Sequence, residues 1–301
     1  MLTIGSRGSQ LALWQARWIK GRLEEMGEAC RIEVIKTTGD KITDVPLAQV
    51  GTKGLFTKEI EEALIRGDID LAVHSMKDLP TILPAGLEVT AIPEREDARD
   101  ALLGRALRDL AAGSKVGTSS LRRAAQLRAL RPDLEVEPVR GNLDTRLRKL
   151  DEGRYDAIVL AVAGLKRMGW DDRIAEILST NHMCPAVGQG ALAIETRSDG
   201  GPAEQIARRL DHGETRTAVS AERALLASLG GGCQVPIGAY ATIEEGELRL
   251  TAVVCTPDGS RLIRRNAAGA PAVAEELGRA LGEALIEAGA DEILEAVYGG
   301  S

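Results

Sequence analysis

The sequence has no long apolar run. Its longest stretch without a polar side chain, "AIVLAVAGL" at 157–165, is about half of the ~18–20 residues that a bilayer-crossing helix needs, so no membrane span is expected. The N-terminal "MLTIGSRGSQ" lacks a basic head, an apolar stretch and a small-residue cleavage site, which argues for the cytoplasm and against export. Cysteine is scarce: Cys30, Cys184, Cys233 and Cys255 stand far apart with no C-x-x-C pair, and in a reducing compartment disulfides are not expected. Histidine is scarcer still, at three residues. None of the paired spacings of a zinc site is present, so no metal is expected, and His182, a near neighbour of Cys184, is read as structural. An excess of basic residues is also missing, since the net charge is −7; that argues against a nucleic-acid partner, which usually makes a whole domain basic.

What is present is a chain of 301 residues, 44% hydrophobic and 28% charged, the composition of a globular protein of two or three domains. Its charge is unevenly spread. Residues 1–22 carry Arg7, Arg17, Lys20 and Arg22 with no acid, and residues 118–150 carry eight bases against four acids. From Glu275 onward seven acids face one base. A basic region on an acidic chain reads either as a solvated helix face or as a site for a small anion.

Strand and helix signals alternate. "LTIG" is a short apolar run, followed by Leu11, Trp14 and Trp18 at helical spacing; "RIEVIKT" alternates like a strand, "FTKEIEEALIRG" is helical up to Gly67, and "IDLAVHS" is a buried strand. "LEVTAI", "KVG", a helix from about Ser120 to Leu130, "LEVEPV", a helix from about Leu143 to Glu152 and "YDAIVLAV" follow. The pattern predicts α/β architecture with mainly parallel sheets. Two echoes suggest that it occurs twice. "RGDIDLAV" (66–73) and "EGRYDAIV" (152–159) share a helix-ending Gly, two residues, Asp and an apolar strand, while "TIGSRGSQL" (3–11) and "KVGTSSLRR" (115–123) each run from a strand through Gly into a hydroxyl-rich turn. Such turns leave free N–H groups at a helix N-terminus, an anion cradle. Capping alone would account for Ser9 or Ser120. It does not account for Arg7, Arg122 and Arg123, whose positive charge opposes the helix dipole unless an anion sits there.

Two further motifs carry chemistry. "AVHSMKDLP" (72–80) delivers Ser75, Lys77 and Asp78 to the C-terminal end of a buried strand, where open α/β sheets bind ligands. Asp78 is either a turn-former before Pro80 or an acid able to stabilise a cation or relay a proton. "SLGGGCQVPIG" (228–238) raises Cys233 on three glycines, either an ordinary thiol or a nucleophile on a loop that can reach.

Together "AVHSMKDLP", "GTSSLRR", "RGNLDTRL", "DAIVLAVAGLKR", "PAVGQGALAIE" and "GGGCQVPIGAY" resemble the porphobilinogen deaminase (hydroxymethylbilane synthase) family, in order from residue 4 to about residue 255. The resemblance implies a transferase of tetrapyrrole and heme biosynthesis. It implies that Cys233 holds a dipyrromethane cofactor through a thioether, that four porphobilinogen molecules are added head to tail with loss of ammonia, and that hydrolysis releases hydroxymethylbilane. Asp78 then matches the catalytic carboxylate, stabilising the cation that deamination leaves. Every ring carries acetate and propionate, so the cations become polycarboxylate binders, for which the guanidinium fork is suited. For the cofactor the implied residues are Ser75, Lys77 and Asp78, then Thr118, Ser119 and Ser120, then Arg122, Arg123, Arg140, Asn142 and Arg146. For the substrate they are Arg7, Ser9 and Lys53, again Arg140 and Arg146, and Arg167 and Gln189.

The implied fold is two periplasmic-binding-protein-like lobes plus a smaller C-terminal α/β domain. Lobe 1 is expected at 1–92 with 190–210, lobe 2 at 93–189, and the cofactor-tethering domain at 211–301, in a monomer acting on a small molecule. The rival from another class is a non-catalytic two-lobed binding protein for a small polycarboxylate, a reading in which Cys233 has no role.

Overall fold

The computed structural model describes residues 1–41, 56–231 and 235–299. In chain order these form β1 (Leu2–Ser6), α1 (Gln10–Glu25), β2 (Cys30–Val34), a single turn α2 (Thr38–Lys41), α3 (Lys58–Arg66), β3 (Leu71–Ser75) and β4 (Leu87–Ala91). Then come β5 (Asp100–Gly104), β6 (Lys115–Gly117), α4 (Leu121–Leu130), β7 (Glu135–Glu137), α5 (Leu143–Asp151), β8 (Ala157–Ala161), α6 (Val162–Met168), β9 (Ile174–Ile177), β10 (Leu192–Arg197) and α7 (Pro202–Arg208). The remainder is α8 (Gly213–Ser228), β11 (Ile237–Glu244), β12 (Glu247–Cys255), β13 (Leu262–Gly269), α9 (Ala274–Glu287) and α10 (Ala290–Gly299). No helix among the described residues is long and apolar enough to cross a membrane. The chain divides into two compact units, residues 1–96 with 191–216 and residues 97–190 with 217–301.

The first unit is built on a five-stranded sheet in the order β2-β1-β3-β10-β4. β1 runs parallel to β2 and β3, whereas β10 is antiparallel to both its neighbours. Strand periodicity decides which side chains go where. Leu71 and Val73 of β3 join Ile4 and the α1 residues Ala16, Ile19 and Leu23 on one face, while Ala72 joins Ile60, Ala63 and Leu64 of α3 on the other. Burial on both faces explains why the β3 sequence is an apolar run and not an alternation. α1 starts where the Ser9 hydroxyl accepts the Ala12 N–H, and α3 stops at Gly67, which has φ +76 and closes the last turn onto the Ala63 and Leu64 carbonyls.

The second unit repeats the plan. Its sheet has the order β7-β6-β8-β5-β9, with β6 parallel to β7 and β8 and with β5 antiparallel to its neighbours. Each echo in the sequence falls on equivalent strands: the Asp-apolar pair on β3 and β8, the Gly-hydroxyl pair on β1 and β6. In each unit the reversed strand is the one that opens a passage of the chain, β5 after residue 97 and β10 after residue 191. Ala157 and Val159 of β8 pack with Leu127 of α4, and Ile158 and Leu160 with Leu147 of α5 and Leu165 of α6. Each such fully buried aliphatic side chain contributes roughly 1.5–3 kcal/mol of transfer free energy.

The same unit holds an antiparallel sheet, β11-β12-β13. Ala239, Ala241, Leu250, Ala252 and Val254 line one hydrophobic cluster with Leu225 of α8 and Leu281 and Leu285 of α9. Val253 and Cys255 point the other way, onto Ala125 of α4 and Cys184. α9 lies so close to α8 that a methyl on Gly278 would overlap the Ala221 carbonyl. Gly278→Ala is therefore expected to lower stability by about 1–3 kcal/mol in spite of alanine's better helix propensity. Gly21→Ala in α1, where a methyl meets no atom within 4 Å, should raise it by roughly 0.5–1 kcal/mol. Urea unfolding midpoints of the two variants test the contrast, and a gain at both positions would refute the close α8–α9 contact.

Candidate functional site

In the first unit the expected polar residues gather at the C-terminal ends of two adjacent parallel strands. β1 is followed by Arg7, whose guanidinium lies 4.1 Å from the centroid of the Phe56 ring, and by Ser9, whose hydroxyl caps α1. β3 ends at Ser75. Its hydroxyl accepts a 2.9 Å bond from Gln15 Nε2, and Gln15 is buried within α1. On the opposite face the preceding His74 is held by Glu195 of β10 at 2.9 Å, both side chains being almost wholly buried. The strand end is thus clamped from two sides before it enters a 3-10 turn, Met76–Asp78, whose Met76 is buried and whose Asp78 is exposed. Lys77 is half-buried between them. Asp78 is therefore both of the things its sequence context allows: it ends a short turn before Pro80, and it presents a carboxylate to solvent from a fixed base.

In the second unit Thr118, Ser119 and Ser120 follow β6. The Ser120 hydroxyl caps α4 by accepting the Arg123 N–H, Thr118 Oγ1 accepts the Ser120 N–H, and Ser119 Oγ donates to the Val139 carbonyl at 2.7 Å. Arg140 and Asn142 follow β7, the parallel neighbour of β6, on the same edge. Asn142 opens α5 without a side-chain cap bond, and Arg146 Nε donates to the Gly141 carbonyl at 2.8 Å. Arg167 of α6 lies deeper and donates to the Gly190 carbonyl. Lys53 and Cys233 lie outside the described residues.

Arg122 and Arg123 do not point outward from their turn. Both are buried, and both reach Asp100, the fully buried first residue of β5: Arg122 Nη1 to Oδ2 at 2.8 Å, Arg123 Nη2 to Oδ1 at 2.7 Å. Gln189 joins them, donating through Nε2 to Asp100 Oδ1 at 2.8 Å and to the Ala98 carbonyl at 2.6 Å. The anion that positive charge at a helix N-terminus calls for is supplied here from within the protein. Burial by itself would raise the Asp100 carboxyl pKa, but the two guanidiniums and their hydrogen bonds hold it well below the usual carboxylate range. Sequence reasoning passed over Asp100, an acid opening the run "DALLG", because a short apolar run after an acid carries no sign of where that acid points.

The donor set fits a polycarboxylate group. Among the described residues nothing pairs with the buried Arg122 Nε, a donor that a carboxylate would satisfy. The hydroxyls and N–H groups at the start of α4 lie on the same turn, so charge and neutral donors converge there. The thiols discriminate as well. Burial pushes the Cys184 and Cys255 thiols up to about 12 and raises Cys30; such thiols are poor nucleophiles near neutral pH.

Asp100→Asn keeps shape but leaves two buried guanidiniums facing a neutral amide, an expected loss of about 3–5 kcal/mol near neutral pH. The pH dependence has a definite sign. A carboxyl whose native pKa is depressed contributes its stability above its unfolded value of about 3.9 and loses it as pH falls toward the native value. The gap between wild type and Asp100→Asn should therefore be full at pH 7 and shrink below about pH 4. Urea titrations across that range test this, and a gap that does not change with pH would refute the ionised pairing.

Residues 2–205 match the family model described as "Porphobilinogen deaminase, dipyromethane cofactor binding domain", and residues 216–287 match "Porphobilinogen deaminase, C-terminal domain". A porphobilinogen deaminase of Syntrophobacter fumaroxidans is 52% identical over 303 residues, covering 99% of this chain and 98% of its own. One from Pelobacter propionicus is 54% identical over 302 residues, covering 99% and 97%. Among solved structures, a periplasmic substrate-binding protein of an ABC transporter from Coxiella burnetii aligns with a TM-score of 0.42 at 13% identity, over 74% of this chain and 97% of that one. The two family models span nearly all of the sequence, the relatives align end to end at about half identity, and the cationic strand-end turns lie inside the cofactor-binding match: the chain belongs to the porphobilinogen deaminase family.

Proposed function

We propose that this chain carries out its family's reaction: stepwise head-to-tail condensation of four porphobilinogen molecules onto a cysteine-linked dipyrromethane, with loss of ammonia, followed by hydrolytic release of hydroxymethylbilane. The observation that carries the proposal is the cation and hydroxyl set at the ends of β1, β3, β6 and β7, inside the match to the family's cofactor-binding domain. When bound, the dipyrromethane supplies the terminal ring to which substrate is joined. A binding-only module is not favoured, since the full-length relatives carry an enzyme's name. The reading includes a cytoplasmic monomer with no nucleic-acid partner.

Within this reading each residue has a physical task. Cys233 is the tether; Cys184 and Cys255, with thiols pushed up to about 12, are poor competitors for an electrophile. Arg122 and Arg123 pair with carboxylates from positions already fixed by Asp100. Ser75, Lys77, Thr118, Ser119, Ser120, Arg140, Asn142 and Arg146 complete the cofactor-binding set, with Arg7, Ser9, Lys53, Arg167 and Gln189 directed to substrate. Loss of ammonia from the substrate's aminomethyl group leaves positive charge on its ring, and the Asp78 carboxylate stabilises that charge and holds the pyrrole N–H groups in line. The clamp on β3 serves this purpose: a charge contributes most in the transition state when its position needs no reorganisation.

Two outcomes test the reading. Intact-mass measurement of purified protein should find a dipyrrole adduct, absent in Cys233→Ala and retained in Cys30→Ala, Cys184→Ala and Cys255→Ala; an adduct that survives Cys233→Ala would overturn the tether. For Asp78→Asn, with the adduct confirmed by mass, single-turnover ammonia release should fall on the order of 10²–10³, about 3–4 kcal/mol, with much less effect on substrate binding. Asp78→Glu, its charge kept and shifted by one methylene, should retain part of the rate. Asn as fast as Asp, or Glu slower than Asn, would leave Asp78 only its turn.

A further inference from the structure

Glu222, in the middle of α8, has no exposed surface and no task in the reaction described above. Its two carboxylate oxygens accept backbone N–H groups from different elements: Oε2 from Gly188 at 2.6 Å and Oε1 from Ala241 of β11 at 2.8 Å. A buried charge with two well-made bonds is costly to disturb, so the atoms that it holds are fixed relative to α8.

What it holds is the head of a three-residue segment whose other two residues touch the arginine site. Gly188 gives its N–H to Glu222. Gln189 bonds Asp100 at 2.8 Å, and its Oε1 accepts from Arg123 Nη2 at 3.4 Å. Gly190 accepts from Arg167 Nη2 at 2.6 Å. Gly188 and Gly190 have φ of +68 and +89, left-handed conformations that turn the backbone sharply on either side of Gln189. The preceding residues are held just as closely. The Cys184 carbonyl accepts from Arg122 Nη1 at 2.6 Å, the Pro185 carbonyl accepts the Ala239 N–H, and a methyl on Gly238 would lie 2.8 Å from the Cys184 carbonyl. Nothing in this chain of contacts can shift alone. A displacement of Gly188 moves Gln189, and through it Asp100 and the guanidiniums.

We propose that Glu222 is a positioning residue for the arginine site, coupling α8, the helix that leads into the Cys233 segment, to the placement of Arg122, Arg123 and Arg167. The inference rests on the reading of Cys233 as the tether. Under that reading α8 and the cations that meet the tethered carboxylates share one mechanical reference, the Glu222 carboxylate.

The test compares Glu222→Gln, Glu222→Asp and Leu285→Ala, the last a core truncation on α9 whose apolar side chain makes none of these hydrogen bonds. An amide presents one acceptor and one donor where two N–H groups require two acceptors, so Gln must lose one bond and oppose donor to donor. Hydrogen exchange is read first, independently of turnover. In Glu222→Gln protection should fall about tenfold at Gly188 and Ala241 and also across residues 118–126, and remain at the wild-type level in α1 and β3. With the adduct confirmed by mass, kcat at saturating substrate should fall about tenfold, while Leu285→Ala at equal folded fraction keeps the wild-type value. Should the Gln variant fail to fold, Glu222→Asp is read for the same pattern at smaller amplitude. Exchange changes confined to 186–190 and 239–243, with 118–126 at wild-type protection, would overturn the proposal and reduce Glu222 to a local brace. A wild-type protein with no dipyrrole mass would instead overturn the reading of the tether, a result seen before any Glu222 variant is made.

Discussion

Asp100 has no exposed surface and faces two guanidiniums that are themselves nearly buried. Taking three formal charges out of water costs several kcal/mol per ion, and only close, hydrogen-bonded pairing offsets it. That condition dictates much of the second unit: β5 must begin at residue 100, α4 must aim Arg122 and Arg123 inward, and Gln189 must reach across to Oδ1 beside the Arg123 fork. The pairing does not neutralise the site. Two cations against one anion leave a net positive charge in a region of low dielectric, where a carboxylate from a ligand is worth far more than at the surface. The cations are held in place by groups of the protein itself, so the proposed pairing with a ligand carboxylate would not have to order them.

The position of this network in the chain gives it wider consequences. Asp100 lies just after the first passage from one unit to the other, and Gln189 just before the return. Their 2.8 Å bond ties the beginning and the end of the 97–190 part of the second unit together. The reversed strand β5 begins at this carboxylate, so its start is anchored by the same buried group. A polar group buried in this way specifies geometry more than it adds net stability.

The duplicated architecture was legible because its signals are local. Apolar runs that end at Gly, the Asp before β3 and β8, and the hydroxyl turns after β1 and β6 are set by nearest neighbours, and they read correctly as strand and helix ends. The helix expected from about Ser120 to Leu130 is α4, Leu121–Leu130, and that expected from about Leu143 to Glu152 is α5, Leu143–Asp151. The residues that sequence reasoning passed over share a different property: their meaning depends on a distant partner. Asp100 in "DALLG" could belong to a loop, a strand or a helix. Glu222 in "SAERALL" has the look of a solvent-facing acid on an amphipathic helix, and only the arrival of β11 and the Gly188 turn makes it buried. His74 and Gln15 were invisible for the same reason, each set by a contact more than fifty positions away.

The site therefore divides into two layers with different rules. The outer layer, with Asp78 exposed and Ser119 and Asn142 at the edges of their turns, consists of the groups proposed to meet a ligand, and such groups leave motifs because chemistry fixes their identity. The inner layer, Asp100, Gln15, Glu195 and Glu222, consists of groups that satisfy other protein atoms. Its acids hold N–H donors, guanidiniums at Asp100, an imidazole at Glu195 and backbone amides at Glu222, while the Gln15 amide donates to the Ser75 hydroxyl. Each sits one hydrogen bond behind a residue of the outer layer or the segment carrying it. In the first unit the inner layer fixes the end of β3 from both faces, and in the second it fixes α4 and the 188–190 turn. A growing polyanionic product changes the charge that the outer layer must accommodate at every addition. An inner layer that holds its cations through close hydrogen bonds lets that charge change without the cations being re-sorted, because any rearrangement would first have to leave the buried Asp100 carboxylate unpaired.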